Sequence, residues 1–223
     1  MSLSVLDRDV FTLAEAARHL RVPASTLRWW LDGRDRHRPV IRPKRTGSGI
    51  VTWAEFVEAG LLRQYRRQED VPLAELRAFI DKLRVEVGVP YPLAHAKPWV
   101  GKGKKLLLDA QSEARLDPEF CLVAEVSGQL VLTSASDAFV RRVRFDGDVA
   151  VGWRPHDDPD SPIEMRPDVR FGRPAIKGIS TEAIWEHLLA DESEDEVAEQ
   201  FGLDLDDVRW AMAYESAPRR SVA

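Results

Sequence analysis

The apolar positions of this chain change their period several times. From Leu13 onward, LAEAARHL sets Leu13, Ala16, Ala17 and Leu20 at i, i+3, i+4 and i+7, one helical stripe. Thr12 and Glu15 stand at the T-x-x-E spacing of a capping box, which starts a helix. Residues 21–24 break the stripe, with Val22 free to plug the corner. Residues 25–31 resume it, with Leu27 and one of Trp29 and Trp30 turned inward. Two short helices meeting through small residues predict a helix-turn-helix, the shape that enters a DNA major groove.

Beyond it the pattern shortens. Val40-Ile41 and Ile50-Val51 flank the turn cluster TGSG, which predicts a β-hairpin wing. Thr52 and Glu55 form a second capping box, opening a helix through Phe56, Ala59, Leu62 and Tyr65. Pro72 opens another. Its Leu73, Leu76, Ile80, Leu83 and Val87 fit either a short dimer seam or ordinary core packing. Residues 88–97 are Pro-rich and read as a linker. Candidate strands follow at 105–108, 120–126, 129–133, 139–145 and 148–153, with Ser127-Gly128 and Asp146-Gly147 as hairpin turns. A polar linker, 156–162, leads to a helical end. There Ile184, Leu188 and Leu189 form an apolar face, and Ser193 and Glu196 a third capping box. Val197, Ala198, Phe201, Leu203, Val208, Ala211 and Met212 pattern as two helices around Gly202. The expected fold is mixed α+β and mainly helical. Its expected parts are a winged helix-turn-helix over 1–90, a small β-rich middle over 91–160, and a β-hairpin plus helices over 161–223.

Charge divides the chain. Residues 1–100 carry 17 Lys/Arg against 12 Asp/Glu, net +5, and residues 101–223 carry 15 against 25, net −10. The halves therefore suit partners of opposite charge. Arg34, Arg36, Arg38, Arg42, Lys44 and Arg45 follow directly on the second helix, where phosphate contact outweighs the reading as a solvated loop. Residues 191–208 hold nine acidic residues and no Lys or Arg, so that helix pair repels phosphate and reads as a protein-binding or dimerising unit.

Candidate chemistry is sparse. One cysteine, Cys121, excludes a disulfide framework and a cysteine metal site, and its FCLVAEV context reads as a buried strand. His156, Asp157, Asp158 and Asp160 are hard-metal ligand types set in a linker. The basic loop at 101–105 lacks the G-x-x-x-x-G-K-[ST] spacing of a phosphate cradle. No catalytic framework, metal site or cofactor is expected, and so no enzyme. No apolar run reaches the ~20 residues of a membrane span. With no signal peptide in view, a cytoplasmic protein without membrane contact is expected.

The segment TLAEAARHLRVPASTLRWW, with the wing, WAEFVEAGLL and VPLAELRAFIDKL, resembles a MerR-type winged helix-turn-helix over roughly residues 10–85. That resemblance implies that Arg28 contacts phosphate and that Ser25 and Thr26 face the groove. The family's long dimerising helix is much shortened here, and its metal-sensing cysteines are absent. FGRPAIKGISTEAIWEHL followed by ESEDEVAEQFGLDLDDVRWAMAYE resembles the domain of unknown function numbered 433, roughly 163–215. Here Ile179-Ser180 stand where that family commonly has Thr-Arg. Taken together the layout is similar to VapB-type antitoxins. It implies a homodimer that binds double-stranded operator DNA, represses its own operon and neutralises a PIN-type ribonuclease. The toxin would meet Glu194, Glu196, Glu199, Asp204, Asp206 and Asp207, with Arg219 and Arg220 of the tail as competitors for the carboxylates of a nuclease. The alternative is a MerR-like regulator sensing a small molecule through its middle and C-terminal regions.

Overall fold

The computed structural model describes residues 4–34, 37–66, 73–118, 121–127, 129–156 and 158–217. Contacts divide the chain into two compact units, Met1–Val151 and Gly152–Ala223.

The first unit opens with a short strand, β1 (Asp9–Thr12), paired antiparallel with β2 (Ile50–Thr52) through a bulge between Asp9 and Phe11. α1 (Leu13–Leu20) starts at the expected capping box: the Thr12 N–H donates to Glu15 Oε2 at 2.8 Å, and the Glu15 N–H donates to Thr12 Oγ1 at 3.3 Å. Arg21 adopts a left-handed φ of 52° and ends α1, and α2 (Ala24–Asp32) begins after Pro23. α2 ends at Gly33, φ 71°, where a Cβ would stand 2.2 Å from the His37 carbonyl oxygen, so only glycine fits. α3 (Trp53–Arg66) starts at the second expected box, Thr52 with Glu55. α4 (Leu73–Val87) follows; the side chain of Tyr65 and Pro72 lie outside the described residues.

Several expectations fail here for identifiable reasons. Val40 and Ile41 form no wing strand. They are buried, and both N–H groups donate to the Trp30 carbonyl, so β2 pairs with β1 instead. The α4 seam is core, with Leu76, Phe79, Ile80 and Leu83 buried and α5 (Lys104–Glu113) packed on α4. Residues 88–97 are no open linker, since Leu93 and Ala94 are buried, as is Trp99 just beyond. The segment 105–108 lies in α5 (Lys104–Glu113), whose buried Leu107, Ala110 and Gln111 repeat at helical spacing. Residues 139–142 close α6 (Ser134–Arg142), where Ser136 and Phe139 are buried. Two hairpins do form, β3 (Val123–Val126) with β4 (Gln129–Leu132), and β5 (Val143–Asp146) with β6 (Val149–Trp153). The middle is therefore part helix, part hairpin. Gln111 holds it together: its Oε1 accepts the N–H groups of Leu122 and Val123, and its Nε2 donates to the Val123 carbonyl.

The second unit builds a hairpin of β7 (Ala175–Ile176) and β8 (Ile179–Ser180) around Lys177-Gly178. Both turn residues have positive φ, 50° and 87°, as a tight hairpin turn requires. α7 (Thr181–Leu189), α8 (Glu194–Phe201) and α9 (Leu205–Ser216) close over Ile163, Ile176, Ile184, Val197, Val208 and Ala211. Leu189, expected on the inner face, is exposed. The chain is thus α+β and mainly helical, as expected, and among the described residues no helix is long and apolar enough to cross a membrane.

Glu58 on α3 is 0% exposed. Its Oε1 accepts the Leu93 N–H at 3.0 Å, while Oε2 has no hydrogen-bond partner among the described residues. Burial pushes its pKa up to about 8, against the pull of Arg84 and the Leu93 N–H, with Glu55 adding to the rise. The folded chain therefore holds a proton that the unfolded chain releases near 4.5. Stability falls as pH rises from about 4.5 to about 8 and then levels off, a cost of roughly 3 kcal/mol at pH 7. Glu58→Gln should raise the urea midpoint at pH 7 and leave it little changed at pH 4. Parallel pH profiles for the two proteins would refute a neutral Glu58.

Candidate functional site

The corner between α1 and α2 presents Arg18, Arg21, Ser25 and Arg28 to solvent. Ser25 and Arg28 are exposed there. Thr26, expected to face the groove with Ser25, is not: it is 8% exposed and turns inward with Leu27 and Trp30, because three consecutive positions of a helix cannot all face out. Arg18 and Arg21 were missed. Their signal was position, the last turn and the left-handed exit of α1, rather than membership of the later arginine run.

That run separates into inward and outward members. Arg42 is 2% exposed and is no phosphate ligand. Its Nε and Nη2 donate to the two oxygens of Glu55 at 2.8 and 3.1 Å. Nη1 donates to Asp32 Oδ1 at 2.9 Å and to Thr46 Oγ1 at 2.7 Å, and Nη2 reaches the Ile50 carbonyl at 2.8 Å. Asp32, the last residue of α2, also accepts the N–H groups of Thr46 and Gly47 on Oδ1, each at 3.1 Å. Burial alone would raise the Asp32 pKa. Those two N–H groups and Arg42 outweigh it and hold the carboxyl below the usual carboxylate range. Burial would likewise lower Arg42, but Glu55 and Asp32 hold it charged. Tyr91 donates its hydroxyl to Glu55 Oε1 at 3.1 Å, and burial beside Glu55 pushes the phenol far up.

Lys44 and Arg45 are exposed on the loop that this network braces, and Arg45 Nε donates to the Asp32 carbonyl at 2.7 Å. Arg34 is exposed and joined to His37 by a pair of backbone bonds. Arg38 is exposed and pairs with Asp81 at 3.2 Å. Arg36 lies outside the described residues. The outward set is Ser25, Arg28, Arg34, Arg38, Lys44 and Arg45. A cationic loop fixed to the end of an exposed helix can hold phosphates in a set register.

The acidic helices of the second unit also separate. Glu196 caps α8, its Oε2 accepting the Ser193 N–H at 2.9 Å, a bond that lowers its pKa. Glu194 pairs with Arg209 at 2.8 Å. Asp204 and Asp207 both hold Lys177, at 2.7 and 2.8 Å, and keep its ammonium charged. Asp207 is buried and also accepts the Asp204 N–H. These four carboxylates are engaged within the fold, and the reading as a toxin contact is corrected for Asp207, which is buried. Glu199 faces solvent, as do Asp206, whose Oδ1 stands 3.7 Å from Arg209 Nη1, and Asp195, which the sequence reading left out. Arg219 and Arg220 lie outside the described residues.

Among the described residues no group of three or more His, Cys, Asp or Glu is placed to hold a metal ion. The Cys121 thiol is half-buried ahead of β3, and burial and Asp117 push it up, away from the thiolate. His156 Nδ1 and Asp158 Oδ1 accept the N–H groups of Asp158 and Asp160, and the His156 ring meets the Trp210 edge; Asp157 lies outside the described residues.

Removing the Arg42 guanidinium leaves two buried carboxylates uncompensated. Arg42→Met should cost about 3–5 kcal/mol in urea unfolding. Lys44→Ala should stay within about 0.5 kcal/mol. Equal costs at the two positions would show that Arg42 is not the brace.

The family described as "Protein of unknown function (DUF433)" matches residues 163–214, the segment from Ile163 into α9. A second relative, the candidate antitoxin VapB45 of Mycobacterium tuberculosis, is 27% identical over 226 residues, 92% of this chain and 93% of that protein. The crystal structure of Rv2018 from Mycobacterium tuberculosis matches with a TM-score of 0.75 at 27% identity, covering 93% of this chain and 99% of the other. The uncharacterised Mycobacterium tuberculosis protein Rv2308 is 31% identical over 222 residues, 95% of this chain and 92% of that protein. With identity at that level along nearly its whole length, the chain belongs to the family of Rv2308 and carries a DUF433 domain at its C-terminal end.

Proposed function

We propose that this chain is the antitoxin of a toxin–antitoxin pair, which binds its operator as a dimer and neutralises a PIN-type ribonuclease. The observation that carries the reading is the likeness to VapB45, a candidate antitoxin, along more than nine-tenths of both chains. The DUF433 match supports the same assignment for the second unit.

In this reading α1 and α2 act as a helix-turn-helix. Ser25 and Arg28 approach the groove, while Lys44 and Arg45 hold phosphates from the braced loop. Two copies present two α2 helices to two half-sites, since one short helix covers few base pairs. The outward carboxylates Asp195, Glu199 and Asp206 meet cationic groups on the toxin. The chain itself carries out no catalytic step and uses no cofactor.

The test is co-expression with the product of the adjacent gene, followed by RNA cleavage with and without this chain. A stable complex in which cleavage stops is the expected result; a neighbouring product that neither binds nor cleaves RNA would refute the reading. On operator DNA, Lys44→Ala with Arg45→Ala should reduce the slope of log affinity against log salt by about 2. Arg28→Ala should weaken binding about tenfold. An unchanged slope would remove the loop from the interface.

A further inference from the structure

Residues 166–173 of the second unit form a tightly bonded turn with an unusual exposed side chain. Arg170 and Phe171 have φ of 48° and 55°, and Gly172 has 83°. Two consecutive non-glycine residues in the left-handed region are strained, because Cβ crowds the following carbonyl oxygen. The turn persists because its backbone is bonded throughout: Val169 N–H to the Arg166 carbonyl, Gly172 N–H to the Arg166 and Val169 carbonyls, and Arg173 N–H to the Arg170 carbonyl, all at 3.0–3.2 Å. Arg170 Nε adds a bond to the Gly178 carbonyl at 3.1 Å. Phe171 is nevertheless 80% exposed. Folding alone would favour glycine or asparagine at such a position. A bulky ring presented on a strained, rigid turn is a contact anchor.

The second large apolar side chain exposed in this unit, among the described residues, is Leu189, 63% exposed at the end of α7. An ion pair ties the turn that carries Phe171 to the helix that ends at Leu189. Arg173 Nη1 stands 3.7 Å from Glu182 Oε2 and so sets the turn beside the first turn of α7. Glu182, Glu186 and Leu189 then follow at i, i+4 and i+7, about 10 Å along the axis. The Phe171 end is flanked by arginines. The Leu189 end is flanked by Glu186 and Asp191, both exposed.

We propose that a second copy of this chain covers this face. Two α7 helices lie antiparallel about a two-fold axis, Phe171 of each copy packs on Leu189 of the other, and Arg170 of each meets Glu186 and Asp191 of the other. The opposed charges at the two ends make the face self-complementary, which is what a two-fold contact requires. A polyanion is disfavoured because the Leu189 end is acidic. An aromatic flanked by arginine is the usual composition of a protein contact. The α4 seam, which would otherwise offer a dimer contact, is spent inside the first unit. The inference rests on the dimer in the proposed function and assigns its contact, while operator and toxin binding are tested separately.

Sedimentation equilibrium of the full chain across the micromolar range tests it. The wild type should be a dimer. Phe171→Ala and Leu189→Ala should each weaken dimerisation at least about tenfold. Both side chains are exposed, so thermal melts of the diluted proteins should match the wild type. Arg170→Glu and Glu186→Lys should each weaken the dimer, and the two together should restore it, a recovery that a merely misfolded variant would not give. Val85→Ala, an exposed apolar change on α4, should leave it intact. A monomeric wild type, or apolar variants that dimerise like the wild type, would overturn the proposal. So would a monomer whose Phe171→Ala variant loses the neighbouring toxin, which would assign the turn to that protein.

Discussion

The Arg42 guanidinium, held between Asp32 and Glu55, is the interaction on which the first unit depends. It joins the last residue of α2, the loop at 42–50 that carries Lys44 and Arg45, and the first turn of α3 through charged hydrogen bonds with little solvent to compete. Charge-assisted bonds in such surroundings are short and direction-dependent. The position of every exposed cation on that loop is therefore fixed relative to α2. Whatever the loop touches, it touches in one register.

The same contrast shows what could be read from the residues. The three S/T-x-x-E boxes were legible because capping is local: donor and acceptor lie three residues apart, and Thr12, Thr52 and Ser193 all cap as their spacing implies. Arg42 was not legible beside Lys44 and Arg45. All three look alike in a charge run, and what distinguishes Arg42 is a pair of carboxylates 10 and 13 residues away on different helices. The acidic helices hide a similar division. Nine carboxylates within eighteen residues look like one surface, yet Lys177 holds Asp204 and Asp207, Arg209 pairs with Glu194 and Asp206, and Glu196 caps its own helix.

Short apolar runs were the other source of error. Residues 105–108 and 139–142 are too brief for period alone to separate strand from helix. The longer setting decided them: Leu107, Ala110 and Gln111 share a face, and Gln111 then finds three backbone partners on the chain that follows. A glutamine used as a staple leaves no pattern in a sequence, since its value depends on where two backbone N–H groups come to rest. The second unit was read more accurately because its hairpin and helices are local in sequence, with Lys177 linking the hairpin turn to the start of α9.

The Trp53 indole shows what this means during synthesis. Its Nε1 donates to the Ala150 carbonyl at 2.8 Å, and the ring is fully buried on α3. The two residues lie 97 apart. At the usual pace of translation, about 5–20 s separate the appearance of that donor from that of its acceptor. During that interval the nascent chain already carries the helices of its first half but keeps an unsatisfied indole and the still uncovered surface of α3, against which α6 later packs. The first unit thus completes late, as one body. A chain cut short after its basic loop would be left sticky rather than merely shortened.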